Sequence, residues 1–207
     1  MSNKTFWRAA DPLILASKSP VRSAMLHQAG LPVLAVSAEI DERALSGHLE
    51  NNHDGGTEIA KYLAREKALV VSKLYPDHYV IGADQTLALN DRLLHKPGTR
   101  YEAREQLQNL SGKTHILTSA ATVVRNGETI CSASDEARLA MRVLTDAEIR
   151  NYLDAAGDDA LISVGSYQLE GLGIHLFERI EGDYFTILGL PLLFLLRELR
   201  AKGLIAS

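Results

Sequence analysis

The sequence predicts an α/β protein built on a mixed β-sheet flanked by helices. At both ends of the chain, in residues 13–36 and 174–203, short apolar runs typical of strands alternate with segments of helical spacing. Between these ends, residues 115–143 change to the shorter period of β-hairpins around the Asn126-Gly127 turn. Strand-to-helix alternation favours parallel pairing and hairpins favour antiparallel pairing, so we expect a mixed sheet.

Composition predicts one globular body, residues 1–207, because 46% of the residues are hydrophobic and can form a core without covalent staples. The net charge of −4 argues against general binding to nucleic acids or anionic membranes. Cys131 is the single cysteine, which excludes an internal disulfide and a cysteine-based zinc cluster. We expect it to be a small, half-buried strand residue in a protein of the reducing cytoplasm.

Neither end of the chain reads as a membrane segment. Residues 1–12 carry charges and a proline where a secretory signal would have an apolar stretch. The apolar run at residues 188–196 contains Gly189 and Pro191 and is far shorter than the roughly 20 residues that span a bilayer. A cytoplasmic location is therefore expected.

Local signals predict the individual elements. Ser19 is suited to cap a helix that starts at Pro20 and ends near Gly30. Capping-box spacing is seen twice and predicts helices after Thr99 and after Thr145. The remaining expectations are strands at 13–16, 33–36, 79–83, 86–89, 115–124, 129–131, 136–143 and 174–180, a surface loop at 46–56, a turn at Asn90-Asp91, and helices at 59–74 and 191–202.

The first candidate site is the connection at residues 16–22, where a strand leads into a helix. A helix start presents free backbone N–H groups and the positive end of the helix dipole. Ser17, Lys18 and Arg22 add a hydroxyl and two cations, a combination that suits a polyphosphate. An ordinary capped turn with solvated charges is the commoner explanation of these local features alone.

The second candidate is Asp84, which follows the apolar run 80–83 and precedes Lys96 by twelve positions. A carboxylate at a strand end can hold a divalent metal or take a proton from water, and a lysine can neutralise a phosphate. A turn aspartate is the alternative. Asp41 and Glu42 form a similar acidic pair, which is either a solvated surface pair or a magnesium site.

Several familiar motifs are absent from the sequence. Gly112-Lys113-Thr114 lacks the leading glycine of a phosphate-binding P-loop, because position 107 is leucine. Gly171 and Gly173 lack the third glycine of a dinucleotide fingerprint. No histidine pair surrounds a glutamate in the zinc-hydrolase pattern, and no serine occupies a nucleophile elbow.

Five sequence blocks follow one another in a characteristic order. They are residues 13–22 (LILASKSPVR), 40–42 (IDE), 64–68 (AREKA), 81–85 (IGADQ) with Lys96-Pro97, and 165–191 with its EG and GLP signatures. Taken in order, these blocks resemble the Maf family of house-cleaning nucleoside triphosphate pyrophosphatases, enzymes that cleave a nucleoside triphosphate to the monophosphate and pyrophosphate.

The resemblance implies a long, curved mixed sheet, two lobes with a central cleft, a divalent cation such as Mg²⁺ or Mn²⁺, and a homodimer. It assigns Asp84 as the base that activates the attacking water, and Glu42 with Asp84 as the acids near the metal. The positions expected to grip the triphosphate are Ser17, Arg22, Lys67 and Lys96.

Substrate choice is expected to depend on Val21, Gln85 and Glu170. Gln85 and Glu170 resemble the branch that hydrolyses 7-methyl-GTP, whereas Val21 replaces the tryptophan usual in that branch. A glutamate can accept hydrogen bonds from guanine N–H groups and offset the positive charge of an N7-methylated ring. The alternatives are a dTTP and UTP pyrophosphatase, and a nucleotide-binding regulator of cell division with little turnover.

Overall fold

The computed structural model describes residues 6–51, 55–90 and 92–206. Within these ranges seven strands form one sheet in the order β2-β1-β3-β5-β6-β7, with β4 paired to β3. The strands are β1 (Leu13–Ala16), β2 (Val33–Val36), β3 (Val80–Leu89), β4 (Arg92–Leu94), β5 (Thr114–Arg125), β6 (Glu128–Met141) and β7 (Phe177–Glu181).

The sheet is mixed and is accompanied by helices. Strand β1 pairs in parallel with β2 and β3, whereas β3 with β4 and β6 with β7 are antiparallel. The predicted α/β class with a mixed sheet and flanking helices is therefore confirmed. The helices are α1 (Pro20–Gln28), α2 (Glu42–Asn51), α3 (Gly56–Ser72), α4 (Arg100–Leu110), α5 (Asp146–Ala156), α6 (Tyr184–Ile187) and α7 (Leu192–Ala201), with 3-10 turns at Gly157–Leu161, Val164–Ser166 and Leu172–Leu176.

Contacts divide the described residues into two compact units. The first falls within Met1–Gln85, Ser119–Asp135 and Gly189–Ser207, and the second within Thr86–Thr118 and Glu136–Leu188. The core of the first unit is formed by the fully buried strand β1 together with small and branched residues of α3 and β3. The core of the second contains Leu87, Leu107, Leu139 and Tyr152. A single family domain over residues 1–207 stays a prediction.

The helix starts follow the local signals in the sequence. Ser19 Oγ accepts a hydrogen bond from Arg22 N at 3.3 Å, Pro20 is the first helical residue, and Gly30 adopts a positive φ of 76° after α1. Thr145 and Glu148 form a complete capping box at α5. At α4, Thr99 accepts from Glu102 N, but the Glu102 carboxylate binds Gly98 N instead of completing the box.

The predicted loop at residues 46–56 is wrong over residues 46–51, which belong to α2, and at Gly56, where α3 begins. Asp41 caps this helix, because its carboxylate accepts a hydrogen bond from Ala44 N at 3.0 Å. Capping and packing outweigh the low helix propensity of Gly47 and Asn51. Residues 52–54 of that expectation, and Asp91 of the expected turn, lie outside the described residues.

Three strand expectations also need correction. Strand β3 continues through Asp84, so this carboxylate lies inside a ten-residue strand and not at its end. Strand β6 runs without the break expected between residues 131 and 136, and β7 begins only at Phe177, after a 3-10 turn. Strand β3 has a nearly continuous run of buried residues, so it lacks the alternation that would have revealed its length.

Cys131 is expected from the sequence to be a half-buried strand residue. It lies in β6 but is buried, and burial raises the pKa of its thiol to about 11, so the reactive thiolate is disfavoured. Across the described ranges, no helix combines the length and apolar character that crossing a bilayer demands.

Gly82 permits a close approach between β3 and α3. A Cβ atom at Gly82 would lie 1.9 Å from Ala64 O and 2.6 Å from Ala68 N. Lys67 precedes Ala68 on this helix, and Asp84 lies on the same strand face as Gly82, two residues later. The contact between glycine and helix backbone therefore brings Lys67 and Asp84 within reach of each other.

Gly82→Ala is expected to lower the free energy of unfolding by at least about 2 kcal/mol, because the helix backbone must move to admit the methyl group. Gly47→Ala is the matched control, since a Cβ there meets nothing within 4 Å. In a helix interior this change should be neutral or stabilising by up to about 1 kcal/mol. Urea denaturation measures both variants, and equal midpoints would contradict the close-packing role of Gly82.

Candidate active site

The candidate site in the first unit contains a buried carboxylate. Asp84 is 5% exposed, although a buried charge is costly unless it is paired and hydrogen-bonded. Its charged neighbours come from the first turn of α1, from the start of α2 and from α3. Residues far apart in the sequence thus surround one acidic group.

Lys67 joins the two acidic residues. Its Nζ lies 2.6 Å from Asp84 Oδ1 and 2.7 Å from Glu42 Oε1, and the lysine is only 7% exposed. A short, charge-assisted contact of this kind offsets part of the hydration that both groups lose on burial. Glu42 remains half exposed, so the pair of carboxylates has one buried member and one solvent-facing member.

The environment raises the pKa of Asp84 above its ordinary value of 3.8. Burial is the main cause, since it penalises the charged form, and the negative charge of Glu42 acts in the same direction. The positive charges of Lys67 and Arg22 oppose this increase. A carboxylate with a raised pKa is a stronger base than an exposed aspartate.

Arg22 is anchored beside Asp84 by three oxygen atoms. Its Nε donates to Gly189 O at 2.7 Å, while Nη1 donates to Ala83 O at 3.0 Å and to Ser17 Oγ at 3.3 Å. Burial lowers the pKa of the guanidinium, and the charges of Asp84 and Glu42 oppose that decrease. The guanidinium is therefore a fixed cation next to the buried carboxylate.

Gly189 has a structural reason to be glycine. Its φ of +96° is unfavourable for other residues, and a Cβ there would lie 3.3 Å from both Nε and Nη2 of Arg22. Gly189, the first residue of the GLP signature, thus helps to bind the arginine, a role that the sequence did not reveal.

Ser17 links the β1-to-α1 connection to Arg22. Its Oγ accepts hydrogen bonds from Ser19 N at 3.2 Å and from Arg22 Nη1. A hydroxyl that accepts two hydrogen bonds still carries its own O–H donor, which suits a phosphate oxygen. Lys18 instead lies on the surface and pairs with Glu39 at 3.3 Å, a contact of little energetic weight.

Two of the predicted specificity residues also lie in the first unit. Val21 is half buried in the first turn of α1. The Gln85 amide donates to Ser119 Oγ at 3.2 Å, and Ser119 is fully buried in β5. Sequence reasoning missed Ser119, although a small polar residue within the apolar run of β5 was an available signal.

Lys96 and Glu170 lie in the second unit, so their predicted roles stay predictions. Lys96 is exposed in the segment between β4 and α4. Glu170 is exposed in a tight turn, in which Gln168 O accepts hydrogen bonds from Gly171 N and Gly173 N at 3.2 and 3.1 Å. The turn needs Gly173, because a Cβ there would lie 2.3 Å from Gln168 O.

The donor set at Lys67 fits the divalent cation that the resemblance implies. Glu42 and Asp84 both approach the same ammonium group, so two carboxylates converge at one place. Magnesium in nucleotide sites is commonly held by one or two carboxylates together with substrate phosphates. Among the described residues, no group of three or more histidine, cysteine, aspartate or glutamate side chains forms an all-protein cage.

Comparison with known proteins identifies the family. The family model described as "Maf-like protein" matches residues 12–202. The chain belongs to the Maf-like family. This confirms the resemblance that the five sequence blocks indicated.

Three relatives are similar to this chain along nearly their whole length. Proteins named nucleoside triphosphate pyrophosphatase from Bradyrhizobium diazoefficiens and Nitrobacter winogradskyi are 52% and 54% identical, each over 97% of this chain and 98% of their own. A protein named 7-methyl-GTP pyrophosphatase from Brucella abortus is 50% identical over 92% of this chain and 96% of its own.

Replacing Lys67 with Met should raise the pKa of Asp84 further, because the variant removes the nearest opposing positive charge. The sign follows from ionisation: without Lys67 the carboxylate is harder to charge, so it stays protonated to a higher pH. NMR titration of the Asp84 carboxyl carbon in metal-free protein measures the change. Lys61→Met, which removes an exposed lysine of the same helix, should leave the titration unchanged.

An Asp84 titration that moved to lower pH in Lys67→Met, or that responded equally to Lys61→Met, would contradict the electrostatic role of Lys67. The measured pKa of Asp84 should also change when Arg22 or Glu42 is replaced, because both charges act on the same carboxyl group.

Proposed function

We propose that this Maf-like protein is a nucleoside triphosphate pyrophosphatase that favours 7-methyl-GTP and uses Asp84 as its general base. The reaction converts a nucleoside triphosphate and water to the monophosphate and pyrophosphate. The observation that carries this proposal is the buried Asp84 carboxylate, bound to Lys67 at 2.6 Å and flanked by Arg22. The relatives' names support the reaction class.

Asp84 supplies the proton acceptor. As water attacks the α-phosphorus, its proton passes to the Asp84 carboxylate, and the bond from the α-phosphorus to the bridging oxygen breaks to release pyrophosphate. Burial raises the pKa of Asp84, which favours proton acceptance, while the positive charges of Lys67 and Arg22 favour its ionised form. Lys67 also fixes the orientation of the carboxylate through its contact with Oδ1.

Positive charge and hydrogen-bond donors stabilise the phosphates. Arg22 is held in place by Gly189, Ala83 and Ser17, so little reorganisation is required when negative charge develops on the leaving group. The Ser17 hydroxyl and the N-terminal end of α1 add donors suited to phosphate oxygens. We assign Lys96 to the same task on the basis of the family resemblance.

Glu42 and Asp84 would hold the divalent cation. When bound, the cation supplies Lewis-acid polarisation of a phosphate oxygen. Glu42 is suited to this task because its side chain is half exposed while one oxygen reaches Lys67. Asp84 has two carboxylate oxygens, and its contact with Lys67 uses Oδ1.

We assign the preference for 7-methyl-GTP to Glu170 and Gln85. The tight turn at Gln168 presents the Glu170 carboxylate at the surface of the second unit, where it can accept hydrogen bonds from a guanine edge and offset a positive ring. The name of the Brucella abortus relative supports this choice. Val21 can offer the nucleobase only an apolar contact, so recognition of the nucleobase must come mainly from polar groups.

Asp84→Asn is expected to lower kcat roughly 10²- to 10⁴-fold, the usual contribution of a positioned general base. Pyrophosphate release is measured with Mg²⁺ or Mn²⁺ against 7-methyl-GTP, GTP, dTTP, UTP, CTP and ITP. The control is Asp77→Asn, which changes an exposed aspartate of the same unit and should leave kcat unaltered.

Activity of Asp84→Asn within threefold of the parent would reject Asp84 as the base. Parent protein that binds these nucleotides but releases no pyrophosphate would instead support the nucleotide-binding regulator. Highest kcat/KM with dTTP and UTP would support the pyrimidine alternative.

Glu170→Gln should shift the ranking of substrates away from 7-methyl-GTP, because the amide removes the negative charge that complements the methylated ring. The ratio of kcat/KM for 7-methyl-GTP to that for UTP should fall about tenfold, as expected for loss of a charged hydrogen bond. Glu128→Gln, an exposed glutamate of the first unit, is the matched control. An unchanged ranking would remove Glu170 from the specificity residues.

A further inference from the structure

Helix α4 fastens the backbone on either side of Lys96. Gln106 Nε2 donates to His95 O at 2.6 Å, and Gly98 N donates to the carboxylate of Glu102. Glu102 and Gln106 are one helical turn apart, so both side chains project from the same face of α4. The Lys96 segment is therefore held from two points of one rigid helix.

The Gln106 amide also binds a second segment. Its Oε1 accepts a hydrogen bond from Ser166 Oγ at 3.0 Å. Ser166 lies four residues before Glu170 and is fully buried. One side chain thus joins the segment that carries Lys96 to the segment that leads to Glu170, and all of these residues belong to the second unit.

The Ser166 segment is held in an unusual conformation. Ser166 has a φ of +64° and follows Gly165 at +79°, where a Cβ would lie 2.6 Å from Leu87 Cδ1. A non-glycine residue in the left-handed region persists only when its surroundings determine it. Here Tyr152 OH donates to Ser166 O at 3.2 Å.

The next residue is fixed as well. The Tyr167 hydroxyl lies 2.6 Å from Nε2 of the fully buried His115. Three side chains, those of Gln106, Tyr152 and His115, thus bind residues 166 and 167. Of these three, Gln106 also reaches the Lys96 segment, through His95 O.

We propose that Gln106 is a positioning residue that holds the segment of the phosphate-binding Lys96 with one end of its amide and the segment leading to the base-reading Glu170 with the other. The inference rests on the proposed function, because it uses the roles given there to Lys96 and Glu170. The donor end of the amide acts on Lys96 and the acceptor end acts on Glu170. Loss of either end should therefore weaken one function and spare the other.

Two variants separate the ends of the amide. Gln106→Glu keeps an acceptor for Ser166 Oγ but loses the donor to His95 O, whereas Ser166→Ala keeps the contact with His95 O and loses the other. Inorganic triphosphate has no nucleobase, so its inhibition constant reports phosphate binding by Lys96. The ratio of kcat/KM for 7-methyl-GTP to that for GTP reports nucleobase recognition by Glu170.

Gln106→Glu should raise the inhibition constant of inorganic triphosphate about 5- to 20-fold and leave the substrate ratio unchanged. Ser166→Ala should lower the substrate ratio by a similar factor and leave the inhibition constant unchanged. Gln106→Met should change both. Gln108→Met is the matched control, because Gln108 lies on the same helix but binds Asp146 at 2.8 Å, and it should change neither quantity.

Equal changes of both quantities in Gln106→Glu and Ser166→Ala, or responses no larger than those of Gln108→Met, would overturn the inference. In the Lys96→Met background, Gln106→Glu should have no further effect on the inhibition constant, and a full additive effect would also overturn it. Failure of the proposed function would appear separately, as absent pyrophosphate release by the parent. An unchanged substrate ranking in Glu170→Gln would likewise contradict the role that the proposed function gives to Glu170, independently of Gln106.

Discussion

The contact of Lys67 with Asp84 and Glu42 is the interaction on which the site depends. A carboxylate that is 5% exposed is tolerable only with a well-placed opposite charge, and the 2.6 Å contact with Lys67 provides it. That contact requires α3 to approach β3 closely, which Gly82, Ala64 and Ala68 allow. Backbone packing and the charge pairing at Asp84 are thus consequences of the same few small residues.

The charges around Asp84 bear on the proposed use of a divalent cation. Arg22 and Lys67 oppose Asp84 and Glu42, so the group is formally balanced before any substrate binds. A balanced group has little net attraction for a polyanion, because two carboxylates offset the charge of the two cations. Additional positive charge must accompany the substrate or come from other residues, which is the task that we assign to the divalent cation and to Lys96.

Local chemistry made much of the fold predictable. The caps at Ser19 and Thr145, the Pro20 helix start and the Asn126-Gly127 hairpin lie where the sequence placed them. The errors arose where packing outweighs local preference. The helical part of residues 46–51 contradicts its polar composition, and buried β3 gives no alternation to mark its extent.

The site residues were predicted from the order of sequence blocks, but their contacts were not. Lys67 is 17 positions from Asp84, Gln106 is 60 from Ser166, and Gly189 is 167 from Arg22, so no local rule reports these pairings. Two of the blocks carry a small residue that permits a close approach: Gly82 lies against α3 beside Asp84, and Gly189 lies against Arg22. The charged residue of a block alone therefore does not predict its contacts, because the small neighbour determines how closely another element can approach that charge.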